Sequence, residues 1–191
     1  VCGREKPAFR SPARLVDDIR RIQRLGRAPI FVVHDPRQAG EAYVRELFER
    51  LSRQKLKNEL VFELFGPATE RYFELINGSV PRYSLEMSIE SHLESVRAVS
   101  GKFRCSNAAI EATIEAALRN GCRKIDLFFM IGLPNQRYQD AVGCVEYCRQ
   151  LLSRLGGDKR VVPFVAPLAP FLDPGSPAFE RADELGYIKL C

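Results

Sequence analysis

One short stretch constrains the fold of this chain more than any other, an apolar run that stops at a glycine. Every residue from Leu127 to Ile131 is apolar, and Gly132 and Pro134 follow closely. The run is too short for a helix and is typical of a strand buried on both faces of a parallel sheet. Gly132 permits a sharp turn and a close approach of a ligand to the backbone. In α/β folds the functional site lies at such carboxyl ends of strands, so the stretch predicts both a sheet and the place of its site.

Helical and strand patterns alternate along the rest of the chain. We predict helices at 12–25, 38–54, 67–76, 90–99, 107–120, 137–155 and 178–185, and strands at 28–33, 58–65, 82–89, 127–131 and 160–166. Five strands separated by helices indicate a parallel α/β fold. Two arrangements agree with this pattern, an open doubly wound sheet and a barrel with its helices outside.

A row of polar residues in the third predicted strand favours the barrel. Alternation places Ser84, Glu86, Ser88 and Glu90 on one face of that strand. An open sheet covered on both faces would bury these glutamates at a high cost, whereas a barrel offers an inner face that polar groups can line. Glu63 interrupts the preceding apolar run in the same way. We therefore predict a partial barrel and expect Glu63 on its inner surface.

Composition limits the class of protein. The 191 residues contain 46% hydrophobic residues, enough for one domain spanning 1–191. The 29 basic and 24 acidic residues are well mixed, so the net charge of +5 does not indicate a nucleic-acid partner. No run approaches the ~18 apolar residues of a membrane span. The first 26 residues are charged throughout, so we expect no signal peptide.

The six cysteines lack the dense spacing of a secreted disulfide scaffold, so we expect a cytoplasmic protein. Cys144 and Cys148 are four residues apart in a helical pattern and share one face. They could be half of a metal or cluster site, but no third cysteine follows at a matching spacing. We favour two small buried hydrophobic side chains.

Several stretches together resemble one known superfamily. They are Ser84-Leu-Glu-Met-Ser-Ile-Glu-Ser-His92, Arg97, Gly101-Lys102 and residues 125–134, with residues 7–12 and 167–176 near the two ends. In this order and spacing they resemble the radical S-adenosylmethionine (radical SAM) superfamily, in the branch whose full-length members carry a cobalamin-binding domain ahead of the barrel. The resemblance runs from about residue 4 to about residue 188.

The resemblance implies a partial (β/α)6 barrel, TIM-like in architecture. Members of the superfamily reductively cleave S-adenosylmethionine at a [4Fe–4S] cluster to drive radical or methyl-transfer chemistry. For this protein it implies S-adenosylmethionine and a [4Fe–4S] cluster as cofactors, with cobalamin in the full-length protein. The substrate stays unknown, since members act on small molecules, peptides and RNA.

The resemblance also implies roles for particular residues. Asp35 falls where the superfamily contacts the methionyl amino group, and Glu86, Ser88 and Glu90 fall on its ribose-contacting element. Arg97 follows this element, at a position where it could be the partner of the cofactor carboxylate. The element behind the adenine falls on the fifth strand of the superfamily barrel, at Met130, Gly132 and Leu133. There the usual first glycine is Phe128 and the usual acid is Asn135.

The defining Cys-x3-Cys-x2-Cys loop of the superfamily does not occur in this sequence. The resemblance therefore implies that the first strand and the cluster loop precede residue 1, and that this chain is an inactive fragment of a larger enzyme. Its partners would be the remainder of the same polypeptide, including the cobalamin domain. Cys2 could be the third cysteine of that loop, although the lead-in that follows it resembles sequence well downstream.

Two other functional classes agree with the residues. Glu86 and Glu90 could be the paired carboxylates of a lyase or a metal-dependent enzyme on a similar barrel. Against this, His34 and His92 are the only histidines, and neither lies at ligand spacing from another candidate. A non-catalytic interaction module is the third class. Asp35 could equally cap the helix that follows it.

Overall fold

The structure is a computed structural model, which describes residues 8–99, 105–167, 174–175 and 177–187. The helices are α1 Pro12–Leu25, α2 Glu41–Ser52, α3 Glu70–Ser79, α4 Glu94–Val99, α5 Asn107–Arg119, α6 Tyr138–Arg154 and α7 Pro177–Glu180, with a 3-10 helix at Pro36–Ala39. The strands are β1 Ile30–Val32, β2 Leu60–Leu64, β3 Tyr83–Glu90, β4 Ile125–Ile131 and β5 Val161–Pro167.

All five strands are parallel and form one sheet in the order β1-β2-β3-β4-β5. Each strand therefore lies beside its neighbour in sequence. In a doubly wound sheet the order of the strands reverses at a switch point. In a barrel each strand follows the preceding one around the sheet without such a reversal. The order confirms the predicted α/β fold as a partial TIM-like barrel.

The core lies between the sheet and its helices. Residues of β2, and of β3 from Leu85 to Glu90, alternate between buried and partly exposed, with Leu85 and Met87 buried and Glu86 and Ser88 partly exposed. Ser84 is buried, and its hydroxyl donates to the Glu59 carboxylate. The helices α2, α3, α5 and α6 contribute their buried faces to the same core. This confirms the predicted alternation from Leu85 onward, whereas Ser84, predicted in the same polar row, is buried. The opposite side of the sheet, here called the inner face, carries the polar residues.

Some boundaries differ from the prediction. The strand β3 runs to Glu90, so the following helix begins only at Glu94 and not at residue 90. The helix predicted at 67–76 lies at Glu70–Ser79, and Thr69 precedes it in an extended conformation. The last helix is only four residues long. The ends of helices and strands depend on tertiary hydrogen bonds, which the local propensity of the sequence does not describe.

Cys144 and Cys148 are buried in the core face of α6, in agreement with the preferred interpretation of that pair. Within the described ranges no three His, Cys, Asp or Glu side chains are grouped so that they could hold a metal ion. Among the described helices, none combines the length and apolar character needed to cross a membrane.

Candidate functional site

Backbone strain is concentrated at one end of the sheet. Among the described residues, three that are not glycine have a positive φ: His34 at 69°, Glu90 at 67° and Asn135 at 63°. They follow or end β1, β3 and β4, so all three lie at the carboxyl ends of parallel strands. Such conformations cost energy and persist where surrounding structure enforces them, which is common at functional sites.

Strand pairing places three carboxylates side by side on the inner face. Glu63 of β2 is in register with Glu86 of β3, which is in register with Asp126 of β4. Adjacent strands lie ~4.8 Å apart, so the three side chains form one transverse row, here called the acidic row. Burial, then Asp126 and then Glu63, raise the pKa of Glu86, while Lys124 partly opposes them.

The outer members of the acidic row have partners. The Glu63 carboxylate accepts a hydrogen bond of 2.8 Å from the backbone N–H of His34. This bond ties the strained end of β1 to β2. The Lys124 ammonium lies 2.9 Å from the Asp126 carboxylate. Glu86, between them, has no hydrogen bond from a described residue. The sequence analysis did not identify Asp126 as a site residue, although it occupies a partly exposed position in the alternating burial of β4.

Ser88 and Glu90 lie beyond the acidic row, toward the carboxyl end of β3. The pairing of β3 with β4 shifts between these two residues, as at a β-bulge. Bulges re-aim side chains and are frequent beside active sites. The shift coincides with the positive φ of Glu90. Both side chains are partly exposed and offer oxygen acceptors to a ligand at this edge.

The turn after β4 is held by a residue that the sequence did not reveal. The Gln136 side-chain oxygen accepts hydrogen bonds from the backbone N–H groups of Gly132, at 2.7 Å, and Leu133, at 3.2 Å. Its amide nitrogen donates to the Met130 carbonyl at 3.1 Å. Gly132 has a φ of 90°, which explains the glycine at this position. Gly132 is exposed, whereas Leu133 is buried beneath the turn.

Asp35 is 2% exposed, so its side chain is buried just beyond β1 and does not lie on the open inner face. It caps the 3-10 helix, and its carboxylate accepts hydrogen bonds from the backbone and the side chain of Arg37. The backbone N–H of Phe65 also donates to Asp35, at 3.3 Å. Arg37 in turn donates to the carbonyls of Gly66 and Pro67. The structure therefore shows the capping role, and the direct cofactor contact stays a prediction.

Arg97 is also 2% exposed. Its guanidinium donates to the backbone carbonyls of Ser91 and Cys105, both at 2.6 Å, and to the Asn107 side chain at 2.9 Å. Its Nε–H has no described partner, and no described carboxylate lies within ion-pair distance. The guanidinium thereby anchors the chain just after β3 to the start of α5. Its predicted contact with a cofactor carboxylate is not tested by these interactions.

Aromatic rings lie next to the acidic row. Phe128 of β4 and Phe164 of β5 stack with centroids 5.3 Å apart and ring planes 13° from parallel. The Lys124 ammonium lies 5.9 Å from the Phe164 centroid as well as beside Asp126. The inner face therefore combines carboxylates with an aromatic surface.

The described cysteines do not form the ligand set of an iron–sulfur cluster. Cys105, Cys122, Cys144 and Cys148 are free thiols, and the last three are buried. Burial raises the pKa of Cys122 to about 12, which disfavours the thiolate that a cluster requires. Cys2 and Cys191 lie outside the described residues. A [4Fe–4S] cluster therefore does not fit the cysteines that the structure describes.

The structure brings most of the predicted site residues to one region. Six of them lie on the inner face or at its carboxyl edge: Glu63, Glu86, Ser88, Glu90, Met130 and Gly132. Asp35, Arg97 and Leu133 are buried behind that edge. We call the carboxyl-edge residues Ser88, Glu90, Met130 and Gly132 the strand-end site.

No protein-family model matches the sequence, and no curated protein matches it by sequence. Solved structures do match the fold. The radical SAM methyltransferase TsrM from Kitasatospora setae, solved with cobalamin and a [4Fe–4S] cluster bound, superposes with a TM-score of 0.63 at 13% identity, over 83% of this chain and 31% of TsrM.

Two further radical SAM structures match over similar lengths. Coproporphyrinogen III oxidase (HemN) from Escherichia coli, described as a radical SAM enzyme, has a TM-score of 0.59 at 15% identity, over 88% of this chain and 40% of HemN. The FeFe-hydrogenase maturase HydG from Carboxydothermus hydrogenoformans gives 0.57 at 18% identity, over 87% and 39%. The chain thus spans well under half the length of each of these proteins. Its fold is the one expected from the resemblance, a partial barrel shared with radical SAM enzymes.

Proposed function

We propose that this chain is part of a radical SAM enzyme and that its strand-end site holds the nucleoside half of S-adenosylmethionine. The observation that carries the proposal is the concentration of strained residues at the carboxyl ends of β1, β3 and β4. Ligands of parallel α/β folds bind at that edge. The similarity of fold to radical SAM structures supports the choice of ligand.

The donor set of the strand-end site suits a nucleoside. Ser88 and Glu90 offer oxygens that can accept hydrogen bonds from ribose hydroxyls. Met130 and Gly132 offer an apolar wall and exposed backbone against which the flat adenine can lie. Gln136 occupies the N–H groups of Gly132 and Leu133, so we assign adenine to contacts with the surface of this turn, not to those groups.

Asp35 and Arg97 act in this proposal as positioning residues. Asp35 fixes the end of β1 to the end of β2 through Arg37 and Phe65. Arg97 fixes the segment after β3 to α5. Both hold strand ends where the cofactor binds. Glu63 and Glu86 lie deeper on the inner face, one layer below Ser88 and beyond the proposed position of the ribose.

The cluster would supply the electron that cleaves S-adenosylmethionine, and its thiolates must come from cysteines outside the described residues. We propose that the whole protein performs radical or methyl-transfer chemistry and uses cobalamin, as the branch resemblance implies. The cytoplasm suits this proposal because the described cysteines are free thiols.

The proposal is tested by measuring how the protein distinguishes adenosine from 2′-deoxyadenosine. Calorimetric titration of the wild type should show tighter binding of adenosine, because the ribose 2′-hydroxyl donates to Glu90 or Ser88. In Glu90→Gln, which weakens the acceptor, the preference should fall severalfold. Glu74→Gln, an exposed carboxylate on α3, is the matched control and should keep it. A wild type that binds neither nucleoside would contradict the proposal.

A further inference from the structure

The inner face leaves large apolar side chains exposed. Phe31 of β1 is 42% exposed, Val33 just beyond β1 is 65% exposed, and Phe164 of β5 is 41% exposed. Phe31 is in register with Val61, two residues before Glu63 of the acidic row, so Phe31 lies on the same side of the sheet. This face therefore joins apolar surface at both edges with carboxylates in the middle, and such mixed patches mark ligand sites.

One corner of the face already binds a cation of the chain itself. The Lys124 ammonium lies 2.9 Å from the Asp126 carboxylate and 5.9 Å from the Phe164 centroid. Phe164 is in register with Phe128, which is two residues beyond Asp126 on the same strand. The pair consists of a carboxylate on one strand and an aromatic ring on the next strand, one layer higher. A primary amine lies close to both.

The same pair recurs one strand away. Glu86 of β3 is in register with Asp126, and Phe128 of β4 lies one layer higher, in register with Ser88. Glu86 and Phe128 are therefore related to each other as Asp126 and Phe164 are. No described lysine or arginine lies within ion-pair distance of Glu86. The carboxylates of Glu63 and Asp126 on either side make a positive charge beside Glu86 favourable.

We propose that the Glu86–Phe128 pair binds the protonated amino group of the substrate, a small aromatic amine whose ring lies on the apolar surface of Phe128 and Phe164. The assignment rests on the proposed function, since it names the substrate class for the same barrel. Charge complementarity selects a cation, and the exposed rings select a flat apolar body. A metal ion is a poorer occupant, since the described carboxylates are not grouped as metal ligands.

The test compares three ligands that share a phenylethyl group and carry a cationic, a neutral or an anionic terminal group. Phenethylamine, 2-phenylethanol and 3-phenylpropionate are titrated into the full chain at pH 7 by ligand-observed NMR. Phenethylamine should bind at least tenfold more tightly than the alcohol, and the carboxylate should bind most weakly. Glu86→Gln should weaken phenethylamine at least fivefold, Phe128→Leu severalfold, and the exposed control Glu74→Gln not at all.

Adenosine, titrated in parallel, separates this inference from the proposed function. Adenosine binding with equal affinities for the three phenyl ligands would overturn only the substrate assignment. An unchanged phenethylamine affinity in folded Glu86→Gln would do the same, because the amine would then bind elsewhere. Loss of adenosine binding in the wild type would instead contradict the proposed nucleoside site, whether or not the amine binds.

Discussion

The residues with positive φ at the strand ends differ in how they are held. Gly132 adopts its φ of 90° without a side-chain penalty. His34 and Glu90 adopt similar values at a cost of about 1–3 kcal/mol each. For His34, the Glu63 carboxylate secures the backbone N–H and so opposes that cost. The strain at His34 therefore depends on a contact between β1 and β2 that forms only with the sheet.

Gly132 should tolerate a side chain poorly. We expect Gly132→Ala to lower the free energy of unfolding by about 1 kcal/mol, and Gly132→Val by more, because a branched side chain is disfavoured at positive φ. Gly78, within α3 and with open space around it, is the matched control. Gly78→Ala should be neutral or should stabilise by up to about 1 kcal/mol. Urea unfolding of the variants measures both changes, and equal effects at the two sites would refute the strained turn.

Glu86 should make stability depend on pH in a defined direction. Its raised pKa means that the folded state favours the protonated acid, so ionisation destabilises the fold as pH rises through that pKa. Glu86→Gln removes this cost and should stabilise the protein at pH 7 by no more than about 1 kcal/mol, since the group is partly exposed. The gain should vanish below the unfolded-state pKa of ~4.3.

Thermal melts between pH 4 and pH 8 measure this difference. Glu74→Gln, which removes an exposed ion pair with Arg71, should show no gain at pH 7. A Glu86→Gln variant that is less stable than wild type at pH 7 would contradict the electrostatic account of the acidic row.

At the scale of elements, the segment after β1 is tied to the end of β2 by one partly buried ion pair. Asp35 caps the 3-10 helix and pairs with Arg37, which also donates to the carbonyl of Gly66. The pair is therefore a bridge between two neighbouring strand ends. Its loss should loosen the edge of the sheet where His34 is strained.

We expect Asp35→Asn to lower the free energy of unfolding by about 2 kcal/mol, because it leaves a partly buried guanidinium without its charge partner. Arg37→Gln should cost a similar amount. The double variant should cost clearly less than the sum, since the two changes remove one shared interaction. Chemical denaturation of the four proteins gives the coupling, and strict additivity would show that the pair does not act as a unit.

The sequence predicted the elements well where periodicity was strong. The buried runs of β2 and β4 and the polar row of β3 gave the strands and the inner face, because burial on a sheet has a strict period of two. Gln136, Arg37 and Arg97 could not be given their roles from the sequence. Their partners are backbone groups, and no local pattern marks which backbone groups a side chain will reach.

For the whole molecule, the barrel was predictable because the glutamates of β3 needed an inner face that a doubly wound sheet lacks. The strand order then confirmed it. Asp35 lies just beyond β1, as its position along the chain indicated, but its burial and its bonds to Arg37 and Phe65 depend on packing that the sequence does not show. Its contact with the cofactor stays a prediction.

The 191-residue chain should not assemble a [4Fe–4S] cluster. No three of its described thiols are grouped, and burial keeps Cys122 protonated. The hydrogen bond that the Cys148 thiol donates to Cys144, together with burial, raises the pKa of Cys148. After anaerobic incubation with iron and sulfide, followed by desalting, we expect a colourless protein without charge-transfer absorption near ~400 nm. A brown product with about four irons per chain would contradict this expectation.

The central claim is that the nucleoside half of S-adenosylmethionine binds at the carboxyl ends of the strands. Amide spectra of the ¹⁵N-labelled chain, recorded during titration with S-adenosylhomocysteine, locate that contact residue by residue. We predict saturable shift changes confined to residues 88–91 and 130–136, around Glu90 and Gly132. Changes confined to the opposite end of the sheet, at 82–84, 123–125 and 158–161, or no change at millimolar ligand, would contradict the claim.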